Sequence, residues 1–270
     1  DYPPGVELLP HLTHSRIAPE ADSAAIDRAV SEQGGSLYEL DVVGLAELRP
    51  DLILTQEQCD VCAVNEATVR RVALRLPGPP QVVSVNPTDL AGVFAMFDDV
   101  AALLDARPEA EALRTAFDDL AELIVERTGD RKRSRVVLLE WPDPPFSSGH
   151  WNPEIVDLAG GVEVLAHPGE RSRRIGWDEV AAAEPEVILL SPCGFTLDRA
   201  EAELAALGQR PEWRSLQAVR NGRVAVIDGS AYFSRPGPRL KESLAIAAAV
   251  IHPDACHGLA PADGFRLLGP

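Results

Sequence analysis

The sequence lacks any uninterrupted run of about 18 or more apolar residues, so nothing in it predicts a membrane span. Basic residues are also scarce, since 25 Lys and Arg stand against 42 Asp and Glu, for a formal net charge of -17. A chain of this kind offers no basic stripe to neutralise phosphates, which excludes a nucleic-acid-binding protein. Four cysteines among 270 residues are too few for a disulfide scaffold.

Familiar catalytic motifs are missing as well. The sequence contains no G-x-S-x-G, P-loop or H-E-x-x-H, and the pairs Gly34-Gly35 and Gly160-Gly161 are too sparse for a dinucleotide fingerprint. No two carboxylates stand out by placement for acid and base catalysis. We therefore predict a binding protein rather than an enzyme, with no catalytic cofactor and no resident metal. Residues 1–5 show neither a basic nor an apolar signal region, so we expect no signal peptide in this chain.

One segment pattern is present twice: a buried strand, a polar turn containing cysteine, and an amphipathic helix. The first strand is Asp51–Thr55, followed by a turn with Cys59 and Cys62; the second is Glu186–Ser191, followed by a turn with Cys193. The repeat predicts two similar α/β lobes. Ligands of open α/β sheets bind outside the carboxyl ends of the strands, so two facing lobes would present both turns to one cleft.

Hydrophobic periodicity places the other elements. Strands are predicted near Leu8-Leu9 and Leu12-Thr13 and over 81–85, 135–140, 162–165 and 223–227; helices are predicted over 24–32 with Ser23 as cap, 65–76, 89–104, 108–128, 153–159, 178–183, 198–207 and 239–251. The helix after residue 107 has roughly twenty residues, which would span about 30 Å and could join two lobes.

Four further segments carry a family resemblance. Leu138–Gly149, Asp157–Gly161, Ile175–Glu179 and Tyr232–Arg239 resemble the cobalamin-binding and ferric-siderophore-binding proteins of ABC importers, and the likeness extends from about Leu40 to Ile251. The resemblance implies an α/β class III periplasmic-binding fold, with two α/β lobes that contain parallel-type sheets and are bridged by one long helix. Family members usually open with a strand and a helix before the Tyr-Pro-Pro segment, and this chain departs from that pattern.

The resemblance divides the chain into four parts. We expect an N-terminal lobe over 1–106, a linker helix over 107–128, a C-terminal lobe over 129–255 and a tail over 256–270. The ligand would lie between the lobes, with limited closure motion.

Aromatic side chains near the first strand of the second lobe are candidate ligand contacts. Trp141 and Phe146 flank several prolines, and a rigid turn can hold rings against a flat macrocycle at low entropic cost. Core packing is the alternative. His150 and Trp151 follow directly; the imidazole suits a transition metal as axial ligand, or it is structural or solvent-exposed.

A second aromatic group follows the last predicted strand. By resemblance, Tyr232 and Phe233 line the pocket. Arg235 could hydrogen-bond ligand amides or carboxylates, or it pairs with Asp228 or another acidic neighbour.

The cysteines leave several alternatives open. Cys59 and Cys62 form C-x-x-C, which fits a disulfide, a redox pair, metal ligands or small hydrophobes under a turn. The sharper hypothesis is that one of them, with Cys193, supplies soft thiolate contacts to a bound metal centre. Gln56 and Glu57 lie at the same strand end and would meet the edge of the ligand.

The resemblance also implies a permease partner. Acidic residues on each lobe of the family dock onto permease arginines; Glu66 matches for the first lobe, and Asp198 or Glu201 for the second. Both sets also fit as charges favoured at a helix N-terminus.

The sequence thus predicts a solute-binding protein of an ABC importer that binds cobalamin or a related corrinoid. A ferric-siderophore or haem binder is the alternative in the same class. A cytosolic thiol- or metal-handling protein, or a redox enzyme that uses Cys59, Cys62 and Cys193, represents another class. We expect a monomer outside the cytoplasm, in the periplasm or lipid-anchored at the cell surface, with a cytoplasmic location as the alternative.

Overall fold

The computed structural model describes residues 3–18, 21–33, 37–56 and 64–268. These residues divide into two compact units, 1–86 and 87–270. No helix in the described ranges is long and apolar enough to cross a membrane.

The first unit contains two small sheets and three helices among its described residues. Strands β1 and β2 pair antiparallel and β3 and β4 pair parallel. The elements run in chain order: a 3-10 turn Val6–Leu8, β1 Thr13–Ser15, α1 Ser23–Gln33, β2 Tyr38–Leu40, α2 Val42–Leu48, β3 Leu52–Thr55, α3 Glu66–Ala73 and β4 Gln81–Ser84.

The second unit is built on a six-stranded sheet. Its elements are α4 Leu90–Leu104, α5 Arg107–Thr128, β5 Ser134–Pro142, β6 Pro145–Ser147, α6 Asn152–Leu158, β7 Gly161–Glu163, α7 Trp177–Ala182, β8 Val187–Leu190, α8 Leu197–Leu207, α9 Pro211–Ser215, α10 Gln217–Arg220, β9 Val224–Ile227, α11 Leu240–Ile251, α12 Pro253–Cys256, a 3-10 turn His257–Leu259 and β10 Phe265–Leu267. The strand order is β10-β9-β8-β5-β6, with β7 also paired to β5.

The centre of this sheet is fully buried. Strands β7, β5, β8 and β9 pair in parallel, and every residue of β8 and β9 has 0% exposure. Both faces of a parallel sheet are covered by its crossover helices, which explains why these strands are continuous apolar runs. Helix α11 packs against this core through small residues such as Ala247 and Ala248, which let the helix approach closely.

Several predicted elements need correction. Leu8 belongs to a 3-10 turn rather than a strand, and helix α1 is capped by Asp22, whose carboxylate accepts from the Ala25 amide at 2.7 Å, not by Ser23. The predicted tail contains β10, which pairs antiparallel with β9 as an edge strand. A three-residue strand is too short to show periodicity, so only its pairing reveals it.

The compact units also divide the chain differently from the predicted lobes. Helix α4 was expected in the N-terminal lobe, but it belongs to the second unit, where Phe94 lies 5.2 Å from Phe117 of α5, ring centroid to centroid. The N-terminus of α4 is held by Glu154 of α6, whose carboxylate accepts a hydrogen bond from the Leu90 amide at 2.7 Å. Helix α5 has the same bounds as the predicted linker helix. Its role as a bridge between lobes stays a prediction.

Candidate functional site

The carboxyl ends of β5, β8 and β9 bring together residues that are far apart in the sequence. Parallel strands end at one edge of the sheet, so Trp141 near the end of β5, Cys193 after β8 and Tyr232 after β9 belong to the same edge. Ligands of such sheets bind at this edge. We call it the carboxyl edge.

A β-hairpin projects the first aromatic pair. Strand β5 continues past the predicted end to Pro142 and returns as β6, so that Trp141 lies directly opposite Phe146 in the antiparallel register. The sequence predicted a proline-rich turn here, and the ordered strand pairing was missed. Both rings are partly exposed, and their role as ligand contacts stays a prediction.

The ring of Trp141 is supported from the core side by Phe195. The two centroids are 5.1 Å apart with the planes at 69°, and Phe195 is 1% exposed. The Arg199 guanidinium lies 3.8 Å from the Phe195 centroid. The only signal for Phe195 in the sequence is its position in the turn after the second repeated strand.

Phe146 and the strand that carries it contact residues 174–175. Its backbone bridges to Arg174, whose guanidinium carbon lies 5.8 Å from the Phe146 centroid, and the Ile175 amide donates to the Pro145 carbonyl at 2.9 Å. The hairpin is therefore joined to residues 174–175 on its outer side.

His150 is held in an unusual backbone conformation just beyond the hairpin. Its φ is 55°, and its amide donates to the Glu170 carbonyl at 2.6 Å. Burial, and secondarily the charge of Arg171, lowers the pKa of His150 below its ordinary value of 6.5, which keeps the imidazole neutral at pH 7. A neutral imidazole can coordinate a transition metal. Among the described residues, however, no group of three or more metal-ligating side chains forms.

Trp151 and Phe233 are core residues, which corrects their prediction as ligand contacts. They are 3% and 0% exposed, and the Trp151 indole N–H donates to the Phe233 carbonyl at 2.9 Å. Phe233 has a φ of 61°, and its amide donates to Ser243 Oγ at 3.0 Å. The preceding residues His150 and Tyr232 are only partly buried, and composition does not reveal this difference.

Tyr232 and Arg235 lie in the segment that follows β9, and their role as ligand contacts stays a prediction. Tyr232 is partly buried beneath the loop that leads to β10, where a Cβ on Gly264 would come within 3.2 Å of its ring. Burial and the nearby Asp263 raise the pKa of Tyr232, so the phenol stays protonated. Arg235 is exposed and can meet a ligand.

Of the four cysteines, the structure describes Cys193 and Cys256. Cys193 is exposed and its amide donates to the Glu140 carbonyl at 3.2 Å, which ties the β8 turn to β5. Cys256 is buried in the core. Glu57, Cys59 and Cys62 lie outside the described residues, so a disulfide or a thiolate site there stays a prediction.

In the first unit, two predicted residues lie at the repeated strand and helix. Gln56 follows β3 directly. Glu66 opens α3, with its carboxylate 2.5 Å from both Arg70 and the Ser84 hydroxyl, and these hydrogen bonds lower its pKa. Its side chain is 13% exposed, so a permease arginine would have to replace an existing partner.

The acidic candidates of the second unit lie on α8. Asp198 and Glu201 both pair with Arg266 of β10, and the Asp198 side chain is 85% exposed. Beside them is an open cavity of about 460 Å³ between the start of α8, the end of β9 and the loop before β10. Asp228, Asp263 and Phe265 contribute to its walls.

A desolvated carboxylate lies beneath the hairpin. Glu163 accepts from the Leu138 amide at 2.9 Å, from the Leu165 amide at 3.0 Å and from Ser148 Oγ at 3.1 Å. Burial outweighs these donors and raises the pKa of Glu163 to about 7. Nothing local in the sequence distinguishes Glu163 from an exposed glutamate, so it was not predicted as a site residue.

Comparison with known proteins places this architecture among solute-binding proteins. A family model described as periplasmic binding protein matches residues 32–231. No curated protein matches significantly.

Three solved structures illustrate the likeness. An ABC transporter substrate-binding protein from Listeria monocytogenes EGD-e is 18% identical, with 79% of this chain and 81% of that chain covered and a TM-score of 0.66. A periplasmic heme binding protein from Pseudomonas aeruginosa is 20% identical, with 86% and 82% covered and a TM-score of 0.64. A possible iron-binding, periplasmic solute-binding protein from Staphylococcus epidermidis ATCC 12228 is 19% identical, with 79% and 81% covered and a TM-score of 0.63. At these identities the likeness shows the fold, and it confirms the predicted class III α/β architecture.

Proposed function

Since this chain belongs to the periplasmic binding protein family, we propose that it is the solute-binding protein of an ABC importer and that its solute is an anionic metal chelate, either haem or a ferric siderophore. Binding without chemical change fits the family and the absence of recognisable catalytic motifs in the sequence.

The aromatic hairpin carries the proposal. Trp141 and Phe146 are partly exposed and directly paired at the carboxyl edge, and Phe195 supports the first of them from the core. Two rings held on a paired strand present a preorganised apolar surface, which suits a flat or aromatic ligand because little side-chain entropy remains to be lost.

Charge favours an anionic ligand. The whole chain has a net charge of -17, yet the exposed side chains of Arg171 and Arg235 belong to the segments that border this edge. Arginine forks recognise carboxylates and catecholates through charge-assisted hydrogen bonds. Haem propionates and many siderophores supply such groups, whereas cobalamin presents mainly neutral amides at its rim.

The solved structures give the same direction. The proteins from Pseudomonas aeruginosa and Staphylococcus epidermidis are named for heme and, as a possibility, iron. Cobalamin is the ligand first expected from the sequence, and only the sequence resemblance supports it. The binding experiment below therefore includes cobalamin.

A partner permease and an extracytoplasmic location complete the proposal. Asp198 is the better docking candidate because its side chain is 85% exposed, whereas Glu66 is largely enclosed by Ser84 and Arg70. A D198K variant that binds ligand normally but fails to support uptake by the cognate permease would agree with this role. Normal uptake by that variant would contradict it.

The decisive experiment is an absorbance titration with haemin, a ferric catecholate siderophore and cyanocobalamin in parallel. We expect micromolar or tighter binding of one of the first two, weakened by W141A and F146A and unchanged by V162A, an exposed substitution on β7 away from the carboxyl edge. Binding of none of the three ligands would overturn the proposed function. Binding of cyanocobalamin alone would replace the anionic chelate by a corrinoid.

A further inference from the structure

The tip of the aromatic hairpin is unusually poor in backbone hydrogen-bond donors. Residues 142–145 read Pro-Asp-Pro-Pro, and Pro142 pairs with Pro145 across the two-residue turn. Proline has no amide hydrogen, so three of these four residues cannot donate to the strand ladder. Closure of the tip therefore depends more on side chains than it does in an ordinary hairpin.

One side chain reaches the tip from a distant element. Arg210 Nη2 lies 2.7 Å from Asp143 Oδ2, across 67 positions of sequence, and both side chains are about one third exposed, at 38% and 33%. The contact is thus a charge-assisted hydrogen bond that is partly shielded from water.

Arg210 is itself well anchored. It immediately precedes Pro211, the first residue of α9, and the first turn of that helix carries Trp213, which is 3% exposed. The Trp213 ring packs edge-to-face on Trp177 of α7, with centroids 5.6 Å apart and planes at 88°. The guanidinium therefore projects from a fixed backbone.

The base of the hairpin has separate support. The Ser147 amide donates to the Arg173 carbonyl at 3.0 Å, and the Ile175 amide donates to the Pro145 carbonyl at 2.9 Å. These bonds hold β6, including Pro145 at the end of the turn, and neither of them involves Asp143. Trp141 and Phe146 lie two and three positions from Asp143 on opposite strands, so a shift of the turn moves both rings.

We propose that Arg210 is a positioning residue for ligand binding, and that its ion pair with Asp143 holds the hairpin tip so that Trp141 and Phe146 keep the spacing that the ligand needs. The positioning role rests on the proposed function. That the Arg210–Asp143 ion pair holds the hairpin tip is a statement about the unliganded protein and does not depend on that function. Arg210 itself need not touch the ligand.

The test combines ligand affinity with hydrogen exchange. The variants are R210A, R210K, D143A and the double variant R210A/D143A, with K132A as the matched control, since Lys132 pairs with Glu186 at 2.5 Å where β5 begins. Affinity is measured for haemin and a ferric catecholate siderophore, and exchange is followed in peptides that cover residues 139–148.

We expect R210A and D143A each to weaken binding roughly two- to fivefold, the range for a partly exposed ion pair. The double variant should lose no more than either single one, and R210K should recover part of the loss. Exchange in residues 139–148 should quicken in R210A without ligand and remain unchanged in K132A.

Each contrary outcome overturns a defined part. Unchanged exchange in R210A would overturn the tether, whether or not a ligand is known. Faster exchange with unchanged affinity in a protein that binds the probe would overturn the positioning role. If the wild type binds neither probe while exchange still responds to R210A, the assignment of an anionic chelate falls together with the positioning role for it, and the mechanical tether alone stands.

Discussion

The ring of Trp141 rests edge-on against Phe195, with 5.1 Å between the centroids and 69° between the planes. One partner is partly exposed at the carboxyl edge and the other is 1% exposed in the core, so the pair links the proposed ligand surface to the buried sheet. The two residues should therefore differ sharply in what their loss affects.

We expect W141A to weaken ligand affinity about tenfold and to lower the free energy of unfolding less than F195A does, since the Trp141 ring is partly exposed. F195A should instead destabilise the protein by about 3–5 kcal/mol through the cavity it leaves. Absorbance titration with haemin and urea unfolding followed by circular dichroism measure the two effects. Equal losses of stability in both variants would contradict this division of roles.

Two glycines of the second unit form a matched pair for a test of packing. Gly160 and Gly169 both have a φ of 79°, but a Cβ on Gly160 would lie 2.6 Å from His252 Nε2, whereas nothing lies within 4 Å of one on Gly169. His252 is 6% exposed and has little room to move. We expect G169A to cost about 1 kcal/mol for the left-handed backbone and G160A about 2–4 kcal/mol.

Urea unfolding of both variants gives the comparison. The backbone penalty is the same at the two positions, so the difference reports the contact with His252. A G160A variant as stable as G169A would show that His252 is not packed against this turn.

Glu163 should make stability depend on pH. Its pKa is raised from 4.5 to about 7 in the folded protein, so between these values the folded state holds a proton that the unfolded state has lost. The free energy of unfolding therefore falls as pH rises through this window, by at most about 3 kcal/mol for this group.

The E163Q variant removes the titrating group. Histidines whose pKa is lowered act in the opposite direction, so the informative quantity is the difference between wild type and E163Q at pH 5, 6, 7 and 8. The stability of the wild type relative to E163Q should decline from pH 5 to 8. As a control, the free energy of unfolding of the exposed variant E170Q should change with pH as that of the wild type does. If the E163Q variant also changed with pH in the same way as the wild type, the raised pKa of Glu163 would be wrong.

Strand β10 should contribute to the fold although its sequence reads as a tail. Phe265 is partly buried and packs against the core, while Leu267, two residues on, is 53% exposed. We expect F265A to lower the free energy of unfolding by about 1–2 kcal/mol and L267A by less than about 0.5 kcal/mol. Thermal or urea unfolding checks this, and a neutral F265A would mean that β10 does not stabilise the sheet.

Much of the second unit was predictable because its signals are local. Helices α4, α5 and α11 carry apolar residues at helical spacing, and β8 and β9 are short apolar runs bounded by turns, so neighbours in sequence suffice to identify them. The repeated strand of the two segments likewise appears as β3 and β8 in separate sheets.

The candidate site was predictable only in part. Trp151 and Phe233 are core residues, whereas Trp141, Phe146, Tyr232 and Arg235 are partly or fully exposed and their role as ligand contacts stays a prediction. Whether an aromatic ring faces a ligand or the core depends on the direction of one backbone turn. Positive φ values at His150 and Phe233 set that direction, and composition does not reveal them.

By itself, the sequence determined the α/β class, the membership in a binding-protein family and the strand ends at which a ligand would be met, because these follow from local periodicity and recognisable segments. The tertiary structure alone decided that residues 142–145 close a hairpin, that Arg210 reaches Asp143, that Glu163 is desolvated and that β10 joins the sheet. The last three depend on groups brought together across tens of residues, where no periodicity connects them, whereas the hairpin is a local turn that gives no periodic signal. The repeated strand and turn therefore located the edge, and long-range packing selected the side chains that occupy it.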